Sequence, residues 1–390
     1  MVMWWKWIGS KAVRQAVELR RHVIKMFRAQ QDVLPAAAVA NLRTALTRFD
    51  ERITSHASAA DLRAEMERFE GVASQALRPY PQAVMRENVE MILVSLTIVL
   101  SIFTFFAQHF TIPSGSMQPT LFGITHEDHR GDAGFQIPGV ARRVFERLAY
   151  GVSYFHVVAR ADGPLQALEA PQTLLPFVKR QRLLVGDQWY TIWFPPADLG
   201  QMTGWQQGQT FHQGEDILKL KVTAGDHLFV DRLTYNFRHP RRGEIIVFIS
   251  SGIPLLIQDT YYIKRLIGLS GDHLRIGNDR HVVVNGQRLD ASTPHFDKVY
   301  NFGPIPLIDH YSGHVNGVVG AQYSRAELAP LFPNETAENI VGPNRYLVMG
   351  DNTMNSFDSR AWGDFPRQKV IGKSFLVFWP FTSRLGWGSR

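Results

Sequence analysis

The chain contains no cysteine among its 390 residues. That absence excludes disulfides, thiolate metal sites and a cysteine nucleophile, and it fits any redox compartment. Blocks of like charge are also missing. The formal charge is +7, residues 1–90 contribute +4 of it, and no basic run interleaves with aromatics. Nucleic acid is therefore not expected as a partner. No internal repeat or low-complexity tract occurs, which excludes solenoids and sticky linkers. Hydrophobic residues at 45% and charged residues at 20% describe a folded chain, long enough for two or three compact units.

Long apolar runs are equally scarce, and the single one stands out. Residues 91–107, MILVSLTIVLSIFTFFA, carry no charge, and their polar groups are the hydroxyls of Ser95, Thr97, Ser101 and Thr104. Such hydroxyls bond back to helix backbone. With residues 108–110 the run reaches the roughly 20 residues that cross a hydrocarbon core. A transmembrane helix is expected over 89–110. The stretch that precedes it argues against a cleaved leader. Arg78 and Arg86 lie before the run, and no Lys or Arg follows until Arg130. The positive-inside tendency places the N-terminus in the cytoplasm and the chain beyond 110 outside.

Before the span, KAVRQAVELRRHVIKMFRAQQ, AAAVANLRTALTRFDERITSH and AADLRAEMERFEGVASQAL show helical spacing. They define an N-terminal α-helical region over 1–88, closed by Arg78-Pro79-Tyr80-Pro81; the tryptophans of the opening MVMWWKWIG suit a membrane interface. Beyond residue 111 the texture changes. HLFVDRL, EIIVFIS, YYIKRLIGL, HVVVNGQRL and SFLVFWP are β-branched and aromatic, separated by Gly-Asp, Asn-Gly and Pro turns. A mainly β domain of antiparallel sheets is expected over 111–390.

Three stretches carry candidate chemistry. Pro113-Ser114-Gly115-Ser116-Met117 places two hydroxyls around a glycine turn, the pattern of an exposed nucleophile with a neighbouring donor. Tyr262-Ile263-Lys264-Arg265-Leu266 places a lysine among large apolar neighbours, where desolvation lowers its pKa and makes it usable as a base. Residues 350–360, GDNTMNSFDSR, form a loop dense in short hydrogen-bonding side chains. Each alone reads more readily as a turn, a snorkelling lysine and a polar loop.

Together, FTIPSGSMQPTL, GDHLFVDRLTYNFRHPRRGEIIVF, YYIKRLIGLSGD, GDNTMNSFDSRAWG and GKSFLVFWP resemble, in order, the bacterial type I signal peptidases (leader peptidases). The resemblance covers the apolar run and most of 108–122 and 225–380. It implies a membrane-bound serine endopeptidase that removes signal peptides from exported preproteins at small-x-small sites. By it Ser116 is the nucleophile, Lys264 the general base, Ser114 an oxyanion donor and Ser356 the serine that orients the lysine. Arg265 and Asp351 match a structural ion pair, and Asp358 and Arg360 support the site. Phe110, Ile112, Leu121 and Ile263 match the lining of shallow substrate pockets. The family needs no metal or cofactor. Its partners are preprotein signal peptides and the lipid bilayer, with the secretion machinery beside them.

One departure is large. The family passes from the serine motif almost directly into GDHLFV, whereas residues 123–224 intervene here. An added folded lobe is expected. Two tempting motifs fail: HExxH needs His at 130, where Arg130 stands, and a phosphate loop ending at Gly372-Lys373-Ser374 needs Gly at 367, where Arg367 stands. Two other readings stand beside the peptidase: a same-fold Ser/Lys protease dedicated to one secreted substrate, and a catalytically inactive membrane-tethered scaffold. Intact Ser116, Lys264 and Ser356 count against the scaffold.

Overall fold

A computed structural model describes residues 10–55, 58–78, 83–176, 178–196, 198–301 and 313–387. The opening MVMWWKWIG and Pro79-Tyr80-Pro81 lie outside the described residues. The chain divides into two compact units, Met1–Ile98 and Val99–Arg390.

In the first unit, helices α1 (Lys11–Gln30), α2 (Ala36–Thr54) and α3 (Ala59–Ala76) pack around Ala16, Val23, Leu42, Phe49, Leu62 and Phe69. Their starts are written in the sequence. Ser58 accepts the N–H of Asp61 at 3.2 Å, satisfying one of the orphan donors of α3, and Pro35 precedes α2. Phe49 stacks on Phe69 with ring centroids 4.4 Å apart.

Helix α4 (Ala83–Ser101) continues as a wider turn to Phe106. Val84–Phe106 is 23 residues of mean hydropathy 2.3, long and apolar enough to cross a membrane, with none of its most apolar window buried. Thr97 Oγ1 donates to Leu93 O at 2.8 Å, the back-bonding that lets a hydroxyl sit in such a helix. The last residues of the expected span of 89–110 lie in a strand rather than in the helix. The helix is described from Ala83, and at Ala107 it gives way to strand β1 (Ala107–Thr111). The reason is a partner: β1 finds a full antiparallel ladder from Ala107 to Thr111, and a strand that pairs can no longer continue a helix.

Residues 123–224 fold as a lobe. Strands β2 (Thr125–Asp128), β3 (Val152–Val158) and β9 (Asp216–Thr223) form one sheet in the order β2-β9-β3. A second sheet holds β4 (Gly163–Leu168), β5 (Gln172–Leu175), β6 (Val178–Val185), β7 (Gln188–Trp193) and β8 (Thr210–Phe211). Leu183, Tyr190, Phe211, Ile217, Leu218 and Leu220 fill the space between them. Helix α5 (Val140–Tyr150) enters β3 through Gly151, which adopts φ 69° as a left-handed helix cap.

The rest of the second unit is built on an antiparallel sheet. It contains β10 (His227–Asp231), β11 (Ile245–Ile249), β12 (Tyr261–Gly268), β17 (Arg345–Met349), β18 (Phe365–Pro366) and β19 (Val370–Trp379). The order is β1-β10-β19-β11-β12-β17-β18, and β20 (Gly386–Trp387) pairs with β19. A small sheet of β13 (His273–Ile276), β14 (Val282–Val284), β15 (Gln287–Arg288) and β16 (Asn339–Ile340) lies in the connection from β12 to β17. The architecture is thus mainly antiparallel β, preceded by helices and one apolar helix.

Candidate active site

The turn after β1 is pinned before it presents any chemistry. Ile112 N–H donates to Asp226 O, Asp226 N–H to Phe122 O at 2.8 Å, and Phe122 N–H to Asp226 Oδ2 at 2.8 Å. Arg384 grips both carboxylate oxygens of Asp226 at 2.8 Å. The loop is so tight that glycine is required beneath it. A Cβ on Gly225 would stand 1.9 Å from Ile112 O, and one on Gly123 2.2 Å from the Ser114 carbonyl carbon. Within this frame Gly115–Met117 forms one 3-10 turn, with Ser116 and Met117 buried and Ser114 extended and exposed just before it.

Strands β12 and β17 bring the other groups. They are neighbours, with Arg265 opposite Met349, so the loop that leaves β17 at Gly350 lands beside Lys264. From that loop Asn352 N–H donates to Ser116 O at 3.0 Å and Asn352 Nδ2 to Gly115 O at 3.1 Å. Gly350 fits between the two segments: an added Cβ would meet Ser356 Oγ at 2.2 Å and Ser116 O at 2.5 Å.

Lys264 Nζ lies 2.6 Å from Ser116 Oγ, both residues being 5% exposed. Burial pulls the amine down to about 8, against the raising effect of Asp358 and Asp351. Its neutral form is therefore far more accessible near neutral pH than that of an ordinary lysine. Ser114 Oγ donates to Ser116 Oγ at 3.4 Å.

Two fully buried ion pairs brace this contact. Arg265 meets Asp351 through Nε–Oδ1 at 2.7 Å and Nη2–Oδ2 at 2.5 Å, and it donates to Gly243 O at 2.8 Å. Thr120 Oγ1 donates to Asp351 Oδ2 at 2.5 Å, tying the pair to the serine segment. Arg360 meets Asp358 through Nε–Oδ1 at 2.8 Å and Nη2–Oδ2 at 2.9 Å, and binds Thr353 Oγ1 at 2.6 Å. Burial pushes the Asp358 carboxyl up, but Arg360, the Gly350 N–H and Ser356 outweigh it and hold it below the usual carboxylate range. Each side-chain nitrogen and carboxylate oxygen of these four residues has a partner, which is what makes such pairs tolerable away from water.

Ser356 differs from expectation. Its Oγ is buried and makes no hydrogen bond of normal geometry, to Lys264 or to any other described residue, although it lies near enough to Asp358 to favour the ionised carboxyl. Lys264 Nζ instead points at Ser116. Phe110, Ile112, Leu121 and Ile263 do come together, in one cluster with Met117, Leu228 and Val247; Phe110 and Ile263 are its half-exposed members. Among the described residues no group of three or more His, Asp or Glu is placed to hold a metal ion.

Residues 218–379 match the family model described as signal peptidase, peptidase S26. Over this region the chain is similar to the signal peptidases of that family. "Probable signal peptidase I-2" of Synechocystis sp. is 32% identical over 160 residues, 41% of this chain and 57% of that protein. Signal peptidase I of Leptolyngbya laminosa is 33% identical over 170 residues, 42% of this chain and 65% of that protein. A signal peptidase I structure from Enterococcus faecalis aligns over 35% of this chain and 97% of its own length at 25% identity, with a TM-score of 0.24, a superposition too loose to carry detail. The chain thus spans 57% and 65% of the lengths of these two curated relatives. Lys264, Arg265, Asp351, Ser356, Asp358 and Arg360 lie inside the family-model match; Ser114 and Ser116 precede it.

Asp226, Arg384, Asn352, Thr120, Gly123, Gly225 and Gly350 carry roles that sequence reasoning missed. The glycines were the accessible signal, since Gly225 and Gly350 both stand in Gly-Asp dipeptides inside motifs already singled out.

Proposed function

We propose that this chain is a membrane-bound serine endopeptidase that removes signal peptides from exported preproteins, with Ser116 as nucleophile and Lys264 as general base. The observation that carries it is the 2.6 Å approach of a buried amine to a buried serine hydroxyl. A desolvated lysine needs no third group to be neutral, so the pair is a Ser-Lys variant of triad chemistry. Neutral Lys264 takes the Ser116 proton as Oγ bonds to the scissile carbonyl carbon. The oxyanion forms beside the Ser116 N–H and the Ser114 hydroxyl. Collapse breaks the C–N bond, and the leaving amine takes the proton from Lys264. Water, deprotonated by the same lysine, then hydrolyses the acyl-enzyme.

The surroundings suit that substrate. Strand β1 ends its sheet with one unpaired edge among the described residues, and such an edge accepts an extended peptide by strand addition. It runs straight to the nucleophile. The half-exposed Phe110 and Ile263 offer shallow apolar contact for small side chains, with Ile112 and Leu121 behind them. In this reading the helical region before the span is cytoplasmic, Val84–Phe106 crosses the inner membrane, and the protease domain with its lobe is extracytoplasmic. Ser116 is ten residues beyond Phe106 and so lies within about 35 Å of the helix end, where a signal peptide's cleavage site emerges.

The test is cleavage of a model preprotein with an Ala-x-Ala site by the full chain and by Ser116→Ala. Cleavage at that site by the wild type alone is expected. No cleavage by a folded wild type would reject general signal peptide processing, and equal cleavage by both would reject Ser116.

A further inference from the structure

Helix α5, VARRVFERLAY, has Val140, Ala141, Val144, Phe145 and Leu148 on one side and Arg142, Arg143, Glu146 and Arg147 on the other. At 3.6 residues per turn the apolar side covers an arc of about 140°. A surface helix ordinarily turns such an arc into the core. This one is docked the other way round. Glu146, its side chain 13% exposed, accepts from Tyr154 Oη at 2.7 Å and from Arg142 Nε at 2.7 Å, so the polar side meets the lobe. No residue of the helix is buried, and Val140, Phe145 and Leu148 are 67%, 58% and 70% exposed. Next to it Arg147 covers the exposed ring of Phe194, 5.6 Å from its centroid.

We propose that α5 lies in the interfacial layer of the bilayer, its apolar arc among the upper acyl segments and its arginines at anionic phosphates. The inference rests on the reading of Val84–Phe106 as a membrane span. Two observations select a lipid surface as the occupant. The first is charge: three arginines against one glutamate, with Arg142 72% exposed, match anionic headgroups at the level where arginine stems snorkel. The second is attachment. Trp379 Nε1 donates to Leu148 O at 2.7 Å and Phe381 N–H to Ala149 O at 2.8 Å, fixing the last turn of α5 to the end of β19. Trp379 pairs with His227, and His227 with Thr111, only five residues beyond the apolar helix. The lobe helix is thus held on the strands through which the chain leaves the span. Contact at this second point would fix how the site is presented to the membrane surface.

The cysteine-free chain allows single labelling. Full-length Leu148→Cys, Val94→Cys and Asp187→Cys, each carrying an environment-sensitive fluorophore, are reconstituted into phosphatidylcholine/phosphatidylglycerol vesicles. Part of the lipid carries a nitroxide near the headgroup end of the acyl chain. The expected result is loss of most emission from the Leu148 and Val94 labels, with emission retained at Asp187, an exposed position on the same lobe. A quenched Val94 label with an unquenched Leu148 label overturns this inference alone. An unquenched Val94 label overturns the span and this inference with it. If Leu148 is protected from solvent in detergent as a function of protein concentration, a second copy covers the arc and the lipid assignment is wrong.

Discussion

In the sheet that carries Lys264, two arginines and two aspartates are sealed from water; in the lobe of residues 123–224, Arg182 meets Glu169 at the surface while Val140, Phe145 and Leu148 stand in solvent. One region buries what is usually exposed, and the other exposes what is usually buried. In the sheet the inversion has a chemical use. Arg265–Asp351 and Arg360–Asp358 hold the serine turn, the lysine strand and the polar loop in one register, while burial outweighs the pull of the two carboxylates and lowers the Lys264 amine to about 8. Among the described residues of the lobe no ion pair is fully buried, and the outward apolar arc has meaning only against another apolar phase.

The largest effect that sharpens this contrast is at the dyad. Ser116→Ala, Lys264→Ala and Lys264→Arg each lose at least about 10³-fold in preprotein cleavage with folding intact; the last fails because a guanidinium cannot give up its proton. Asp351→Ala strands a fully buried arginine and destabilises the chain by about 3–5 kcal/mol, read by denaturant unfolding. Gly350→Ala drives a methyl group into Ser116 O and Ser356 Oγ, and a misplacement near an ångström lowers kcat by about 10²-fold. Glu169→Ala, which breaks only the surface pair with Arg182, leaves the melting temperature unchanged. A lobe as sensitive to that change as the sheet is to Asp351→Ala would dissolve the distinction between the two regions.

How much of this was legible in the sequence follows the same division. The apolar run, the serine turn, the lysine in its strand and the polar loop are local patterns, and the chain shows each of them in order. Their juxtaposition depends on β12 and β17 being sheet neighbours, so the Asn352 clamp, the Thr120 link to Asp351 and the close approach at Gly350 could not be read from spacing. The expected hydrogen bond from Ser356 to Lys264 fails for the same reason, since the direction of Nζ is set by packing. That the chain turns from helix to strand at Ala107 was not legible, because hydropathy does not reveal that Ala107–Thr111 has a ladder partner. The periodicity of α5 is plain in VARRVFERLAY, but periodicity cannot tell which face docks. The Tyr154–Glu146 bond and the exposure of Val140, Phe145 and Leu148 show that the helix is inverted.

The most direct test of the central claim, a buried and neutral Lys264 acting on Ser116, is the pH dependence of kcat/KM for preprotein cleavage by the wild type. A base whose folded pKa is lowered to about 8 is protonated and inactive below that value, so the rate should climb with pH and level off above a midpoint near 8. A midpoint near the ordinary lysine value of 10.5, or a rate independent of pH between 6 and 9, would contradict it.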